Sequence, residues 1–227
     1  MVDGARTAAY TALLDAKGEC QFGIGDMDIH AQISPDYVKE LEREVVSAPL
    51  VVADGNMPQE SLLTLMELCH KHKGTGNKIK KQRQHFFLAV PLFFEPTDLR
   101  KACLPLASPT PSAMVYTSPN LSELDAMLKT LPGGSQHLPK ITPTSEDSVV
   151  LQIANEAEKL ITHYGISVLL VTMSEAGVLV VRQGLPDAPL PLAGRVHPPF
   201  DSSVSAVWYK GQPCPPTSLV SVSGAGV

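Results

Sequence analysis

Short, continuous apolar runs alternate along this chain with stretches whose apolar residues recur at helical spacing, and that alternation restricts the fold more than any other feature. The runs are PLVVAD ending at Asp54, LAVPLFF ending at Phe94, AMVYTS from Ala113, ISVLLVT ending at Thr172 and GVLVVRQ from Gly177. Runs this short without polar alternation suit strands buried on both faces. Between them, Ser34-Pro35 opens a helical pattern through Val38, Leu41 and Val45, with Ser34 placed to cap and Pro35 in the first turn. A second helix follows Pro58 through Leu62, Leu65, Met66 and Cys69, a short one follows Glu95-Pro96-Thr97, another starts near Asn120, and a longer one covers about Ser148 to His163. Parallel strands need helical crossovers, so the spacing predicts an α/β fold: a doubly wound, mostly parallel sheet with helices on both faces. Upstream, AAYTALLD and ECQFGI flank Ala16-Lys17-Gly18 and predict a hairpin over about residues 8–24.

Composition closes off several classes. With 227 residues, 44% hydrophobic and 18% charged, the chain has enough apolar material for one globular domain covering 1–227. A net charge of -5 and a pI near 5.8 give no global attraction to nucleic acid or to a membrane surface, so neither is expected as a partner. Cys20, Cys69, Cys103 and Cys214 form no CxxC pair, which indicates neither a zinc site nor a disulfide framework and fits a reducing cytoplasm. The first residues lack a basic segment followed by an apolar run, and no stretch approaches the roughly 18 apolar residues of a membrane span. A soluble, cytoplasmic protein is expected.

Two segments interrupt the rhythm. Gly74 to Phe86 is basic and polar, and six of the chain's 18 Lys and Arg lie between Lys71 and Arg83. It reads as an insertion, either a localisation or RNA-contacting patch or a solvated loop. The absence of interleaved aromatics favours the loop. The second is a Pro/Gly-rich linker at about 131–144. His70 and His72, two apart on a helix, point in different directions and make a poor metal pair.

Three further segments can carry chemistry. Ser221 to Val227 is a small-residue loop whose backbone N–H groups could cradle an oxyanion, or a plain chain end. Ser118-Pro119-Asn120-Leu121-Ser122-Glu123 follows a strand and starts a helix, where Asn120 and Glu123 also fit a capping box. Val171 to Leu179 joins two strands and could be an ordinary turn relaxed by Gly177. In this order the three resemble the PfkB carbohydrate-kinase family, with its Pro-Asn-x-x-Glu motif, Thr-x-Gly-x-x-Gly nucleotide loop and Gly-Ala-Gly-Asp anion hole. Gly25-Asp26-Met27-Asp28, Ala53-Asp54-Gly55-Asn56 and Phe94-Glu95-Pro96-Thr97 are similar to the pseudouridine kinases within it. Outside Gly74 to Phe86 the resemblance covers most of the chain.

The resemblance implies a partial ribokinase-like fold with a small β lid around Lys17, acting with ATP and Mg2+ on a small-molecule nucleoside or sugar. The reaction implied is phosphorylation of the 5′-hydroxyl of pseudouridine or a relative. Carried over by position, Asn120 and Glu123 order the Mg–phosphate site, Thr172, Ser174 and Gly177 lie by the nucleotide phosphates, and Gly224, Ala225 and Gly226 form the anion hole. Asp26, Asp54 and Glu95 are substrate-side candidates. The last two end buried strands, where ligands gather in open α/β sheets.

Four departures shape the expectation. The family's catalytic aspartate position holds Val227, which cannot accept a proton. The helix expected after the glycine loop and the family's first strands are missing, and Ser174 stands where the nucleotide loop usually has glycine. A truncated form with little catalysis and low solubility is therefore expected. The alternatives are a non-catalytic binding or regulatory isoform, and an adenosine- or ribose-type kinase. A homo-oligomer is left open.

Overall fold

The computed structural model describes residues 4–16, 20–71, 90–134, 137–142, 144–187 and 204–212. The expectations for Lys17, His72, Gly74 to Phe86 and Gly224 to Val227 lie outside these residues.

The hairpin forms as predicted. Strand β1 (Ala9–Leu14) pairs antiparallel with β2 (Cys20–Asp26), from Ala9 opposite Asp26 to Leu14 opposite Cys20. Leu13 and Phe22 face each other across it, and both are exposed, as is Ile24.

The predicted helix after Ser34 is two short ones. Helix α1 (Pro35–Glu40) is capped by the Ser34 hydroxyl, which accepts from the Tyr37 N–H at 3.2 Å, with Pro35 in the first turn. Leu41 then leaves helical geometry before α2 (Glu42–Ser47). Helix α3 (Gln59–Lys71) buries Leu62, Leu65, Met66 and Cys69, the apolar positions that its spacing marks. The short helix after Thr97 is a 3-10 segment, Lys101–Ala107, because Pro105 inside it removes a backbone donor. Helix α4 (Leu121–Leu128) is followed by the linker, whose Leu138 N–H and His137 ring are held by the buried Asp125. Helix α5 (Asp147–Tyr164) buries Val150, Ile153, Ala157 and Leu160 on one stripe and ends at Gly165, whose φ of 71° is the left-handed turn glycine adopts freely.

The main sheet has the order β3 (Val51–Asp54), β4 (Leu92–Glu95), β5 (Met114–Thr117), β6 (Val168–Thr172), β7 (Gly177–Gln183) and β8 (Val204–Lys210). The first four pair in parallel and the last two antiparallel, giving the expected mostly parallel α/β sheet. Strand β8 is not anticipated by the apolar runs. It pairs along the whole of β7, and the Trp208 ring N–H donates to the Ala176 carbonyl at 2.8 Å. Helix α3 touches the 3-10 segment, which touches α4, which touches α5, so the described helices form one continuous layer on one face. The sequence predicts layers on both faces; this differs because parallel strands paired in chain order through right-handed crossovers send their helices to the same side. Between this layer and the sheet Leu62, Met66, Leu92, Phe94, Met114 and Leu124 are fully buried, each contributing about 1.5–3 kcal/mol of apolar transfer. Burial pushes the Cys69 thiol up to about 12, which leaves it an inert core residue. No described helix is long and apolar enough to cross a membrane.

Candidate functional site

Parallel pairing in register brings the carboxyl ends of successive strands to one edge of the sheet. Asp54, the last residue of β3, lies opposite Glu95, the last of β4. The strands run out there, and the loops that follow interlock. The Gly55 N–H donates to the Glu95 carbonyl at 2.9 Å and to the Thr97 hydroxyl at 3.1 Å. A Cβ on Gly55 would stand 2.4 Å from the Pro96 carbonyl oxygen, so only glycine permits this approach. Thr97 itself has φ of 70°, an uncommon conformation for a residue with a side chain, held by these contacts.

Beyond β5 the Ser118 hydroxyl donates to the Glu95 carboxylate. Asn120 then caps α4. Its Oδ1 accepts from the Glu123 N–H at 2.9 Å, and the Glu123 carboxylate accepts from the Asn120 N–H at 2.9 Å, a reciprocal capping box. The capping reading of this pair is thus correct as structure. Glu123 nevertheless sits in an unusual place for a carboxylate: it is 5% exposed. Burial pushes its carboxyl up, the neighbouring Glu95 and Asp98 carboxylates push the same way, and the Asn120 N–H opposes them. Asp98 is also partly buried, but hydrogen bonds from the Lys101 N–H, the Lys101 ammonium and the Arg100 N–H hold it below the usual carboxylate range. With Asp98 balanced by Lys101, Glu95 and Glu123 are left as neighbouring hard oxygen donors, chemistry that suits Mg2+ held through water. Among the described residues no group of three such side chains could hold an ion directly.

The next strand delivers the nucleotide-loop candidates. The Thr172 N–H donates to the Pro119 carbonyl at 3.0 Å, and Asn120 and Thr172 form an isolated parallel bridge. The Asn120–Glu123 segment and the Thr172 loop, 52 positions apart by residue number, are therefore adjacent. Ser174 is exposed, with φ of 50°, and starts a 3-10 turn through Ala176. Gly177 has φ of 100°, and a Cβ there would lie 2.1 Å from the Tyr209 carbonyl oxygen. The glycine requirement at 177 thus comes first from the close approach of β8.

Asp26 stands apart from this group. It is exposed at the end of the hairpin, opposite Ala9. The 3-10 turn that follows, Asp28–Gln32, carries His30 to an open cleft of about 370 Å³, which Ile33, Val52, Ala53, Asp54, Asn56, Met57 and Leu65 also line. Residues not singled out from the sequence are Asp98 and Lys101 as partners of the candidates, and His30; Ser118 stands in its motif without a role assigned from the sequence. Asp98 with Arg100 and Lys101 following it carries a helix-start signal that could have been read, but nothing local links Lys101 to Asn56.

No protein-family model matches the chain. Over 67 residues it is 33% identical to the pseudouridine kinase of Escherichia coli, a match spanning 30% of this chain and 21% of that protein. Among solved structures it superposes on a ribokinase from Giardia lamblia with TM-score 0.53 and 18% identity, covering 80% of this chain and 46% of that one. An adenosine kinase from Schistosoma mansoni in complex with 2-fluoroadenosine gives TM-score 0.53 at 12% identity, covering 99% and 54%. A carbohydrate kinase from Agrobacterium tumefaciens gives 0.50 at 16%, covering 83% and 50%. The chain spans about half the length of these kinases and about a fifth of the curated relative. Its fold is that of about half of each of these three structures.

Proposed function

We propose that this chain carries the phosphate-binding edge and part of the acceptor site of an ATP-dependent kinase for a nucleoside or sugar hydroxyl, with pseudouridine the favoured acceptor. The observation that carries the reading is the adjacency of Asn120, Glu123 and Thr172 at the sheet edge that also presents Asp54 and Glu95. Phosphoryl transfer asks a protein mainly for positioning and charge neutralisation. Thr172, Ser174 and Gly177 would lie along the nucleotide phosphates. Asn120 and Glu123 would order Mg2+ through water, and the ion would offset phosphate charge. The burial and carboxylate crowding that push Glu123 up support this, since a cation there relieves both. Asp54 and Glu95 would accept hydrogen bonds from acceptor hydroxyls, and Gly224, Ala225 and Gly226 would stabilise charge on the transferred group.

By the resemblance, Val227 would stand at the position where the family has its base, and valine cannot accept a proton. This chain would therefore bind its ligands with little turnover. The test is phosphorylation of pseudouridine by Mg-ATP, run on this chain and on a version extended at both ends with Val227→Asp. Turnover by the extended form alone is the expected result. If neither form reacts, and ATP and a panel of nucleosides and sugars fail to bind, the kinase reading is wrong and a non-catalytic interaction role replaces it.

A further inference from the structure

Lys101 belongs to no motif singled out above, yet it joins two strand ends. Its ammonium donates to Asn56 Oδ1 at 2.9 Å and lies 3.2 Å from an Asp98 carboxylate oxygen. Asn56 in turn donates twice to Asp54, its N–H to Oδ1 at 2.9 Å and its amide Nδ2 to Oδ2 at 3.1 Å. Chemistry fixes the direction of this chain. An ammonium can only donate and a carboxylate can only accept, so an amide between them fits one way, oxygen to Lys101 and nitrogen to Asp54. The Lys101 stem is also set in place, since a Cβ on Gly55 would stand 2.6 Å from its Cβ. The Lys101 charge is balanced by Asp98, while Asp54 and Asn56 line the cleft together.

We propose that Lys101 is a positioning residue of the acceptor site, locking the Asn56 amide so that the Asp54 carboxylate is held to accept hydroxyls of a neutral polyol or nucleoside in the cleft. The role rests on the kinase reading and names the ligand class that this part of the site takes. A phosphorylated sugar is disfavoured there, because Asp54 and Glu95 are anionic and the neighbouring cation is already paired with Asp98.

Calorimetric titration of pseudouridine into the wild-type chain, Lys101→Met, Lys101→Arg and Asn56→Asp tests it. Asn56→Asp is isosteric and keeps an ion pair with Lys101, but its side chain cannot donate to Asp54 when ionised. Lys101→Met and Asn56→Asp should each weaken binding about tenfold at pH 7.5, the scale of one hydrogen bond to a charged group. Lys101→Arg should stay within about threefold of wild type, and Asn56→Asp should recover affinity as the pH falls and its new carboxyl takes up a proton. A purely structural lysine would lower the melting temperature of Lys101→Met and leave pseudouridine affinity, measured below that temperature, unchanged. Equal affinity in wild type and in a folded Lys101→Met or Asn56→Asp overturns the positioning role and leaves the kinase reading standing. Failure of the wild type to bind pseudouridine or any nucleoside or sugar overturns both.

Discussion

Glu123 is held where a carboxylate is disfavoured, and the consequence for pH can be worked out. Burial and the Glu95 and Asp98 carboxylates raise its folded pKa above the unfolded value. A group with a raised folded pKa adds stability below its unfolded pKa, and loses it as pH rises through the folded one. Glu123→Gln keeps an acceptor for the Asn120 N–H but carries no charge. It should therefore melt higher than wild type at pH 7, by about 2–4 °C per kcal/mol relieved, and the gain should vanish toward pH 4. Thermal scans across that range check this. An unchanged melting temperature at pH 7 would mean that Glu123 is not destabilised by its surroundings. At this scale the sequence was informative where partners are close: Asn120 and Glu123 are three apart, and their capping geometry is a local property. Lys101 and Asn56 lie 45 residues apart, and only the pairing of β3 with β4 brings them together.

At the scale of elements, the β7–β8 ribbon shows how one residue governs a pairing. Gly177→Ala must fit a Cβ 2.1 Å from the Tyr209 carbonyl oxygen at a φ of 100°, so β8 has to move away. A loss of at least about 2 kcal/mol is expected, from strain and broken ladder contacts. Trp208, the chain's single tryptophan, donates to the Ala176 carbonyl and reports the change directly. Its emission should shift to the red in the variant, and urea unfolding should move to lower concentration. Wild-type emission and stability in the variant would mean that β8 does not close against Gly177. Strand β8 went unread although Ala206 to Tyr209 in VSAVWYK is an apolar run as long as that of β7; Ser205 breaks the run near its start, and the Val, Trp and Tyr that remain are only a propensity. The break at Leu41 was hidden for the opposite reason: Val38, Leu41 and Val45 keep helical spacing across two helices.

For the whole molecule, strand order is decisive. Parallel strands β3, β4, β5 and β6 follow one another across the sheet, so right-handed crossovers carry the intervening segments to the same side, consistent with the single helix layer described. Strand β3 is at one end of that order, and Val52 on it is 69% exposed. An exposed apolar edge is a template for another chain. Val52→Lys should reduce concentration-dependent light scattering without lowering the melting temperature; unchanged scattering would place self-association elsewhere, with the exposed Leu13, Phe22 and Ile24 of the hairpin the next candidates. The sequence by itself determined the α/β class, most element positions and the Asn120–Glu123 cap, because periodicity and capping are set by residues a few positions apart. Only the tertiary structure decided the order of the strands, the addition of β8, the meeting of Asn120 with Thr172 and the link from Asp98 through Lys101 and Asn56 to Asp54. Those depend on which strands pair, and pairing is a choice among distant segments that no local pattern encodes.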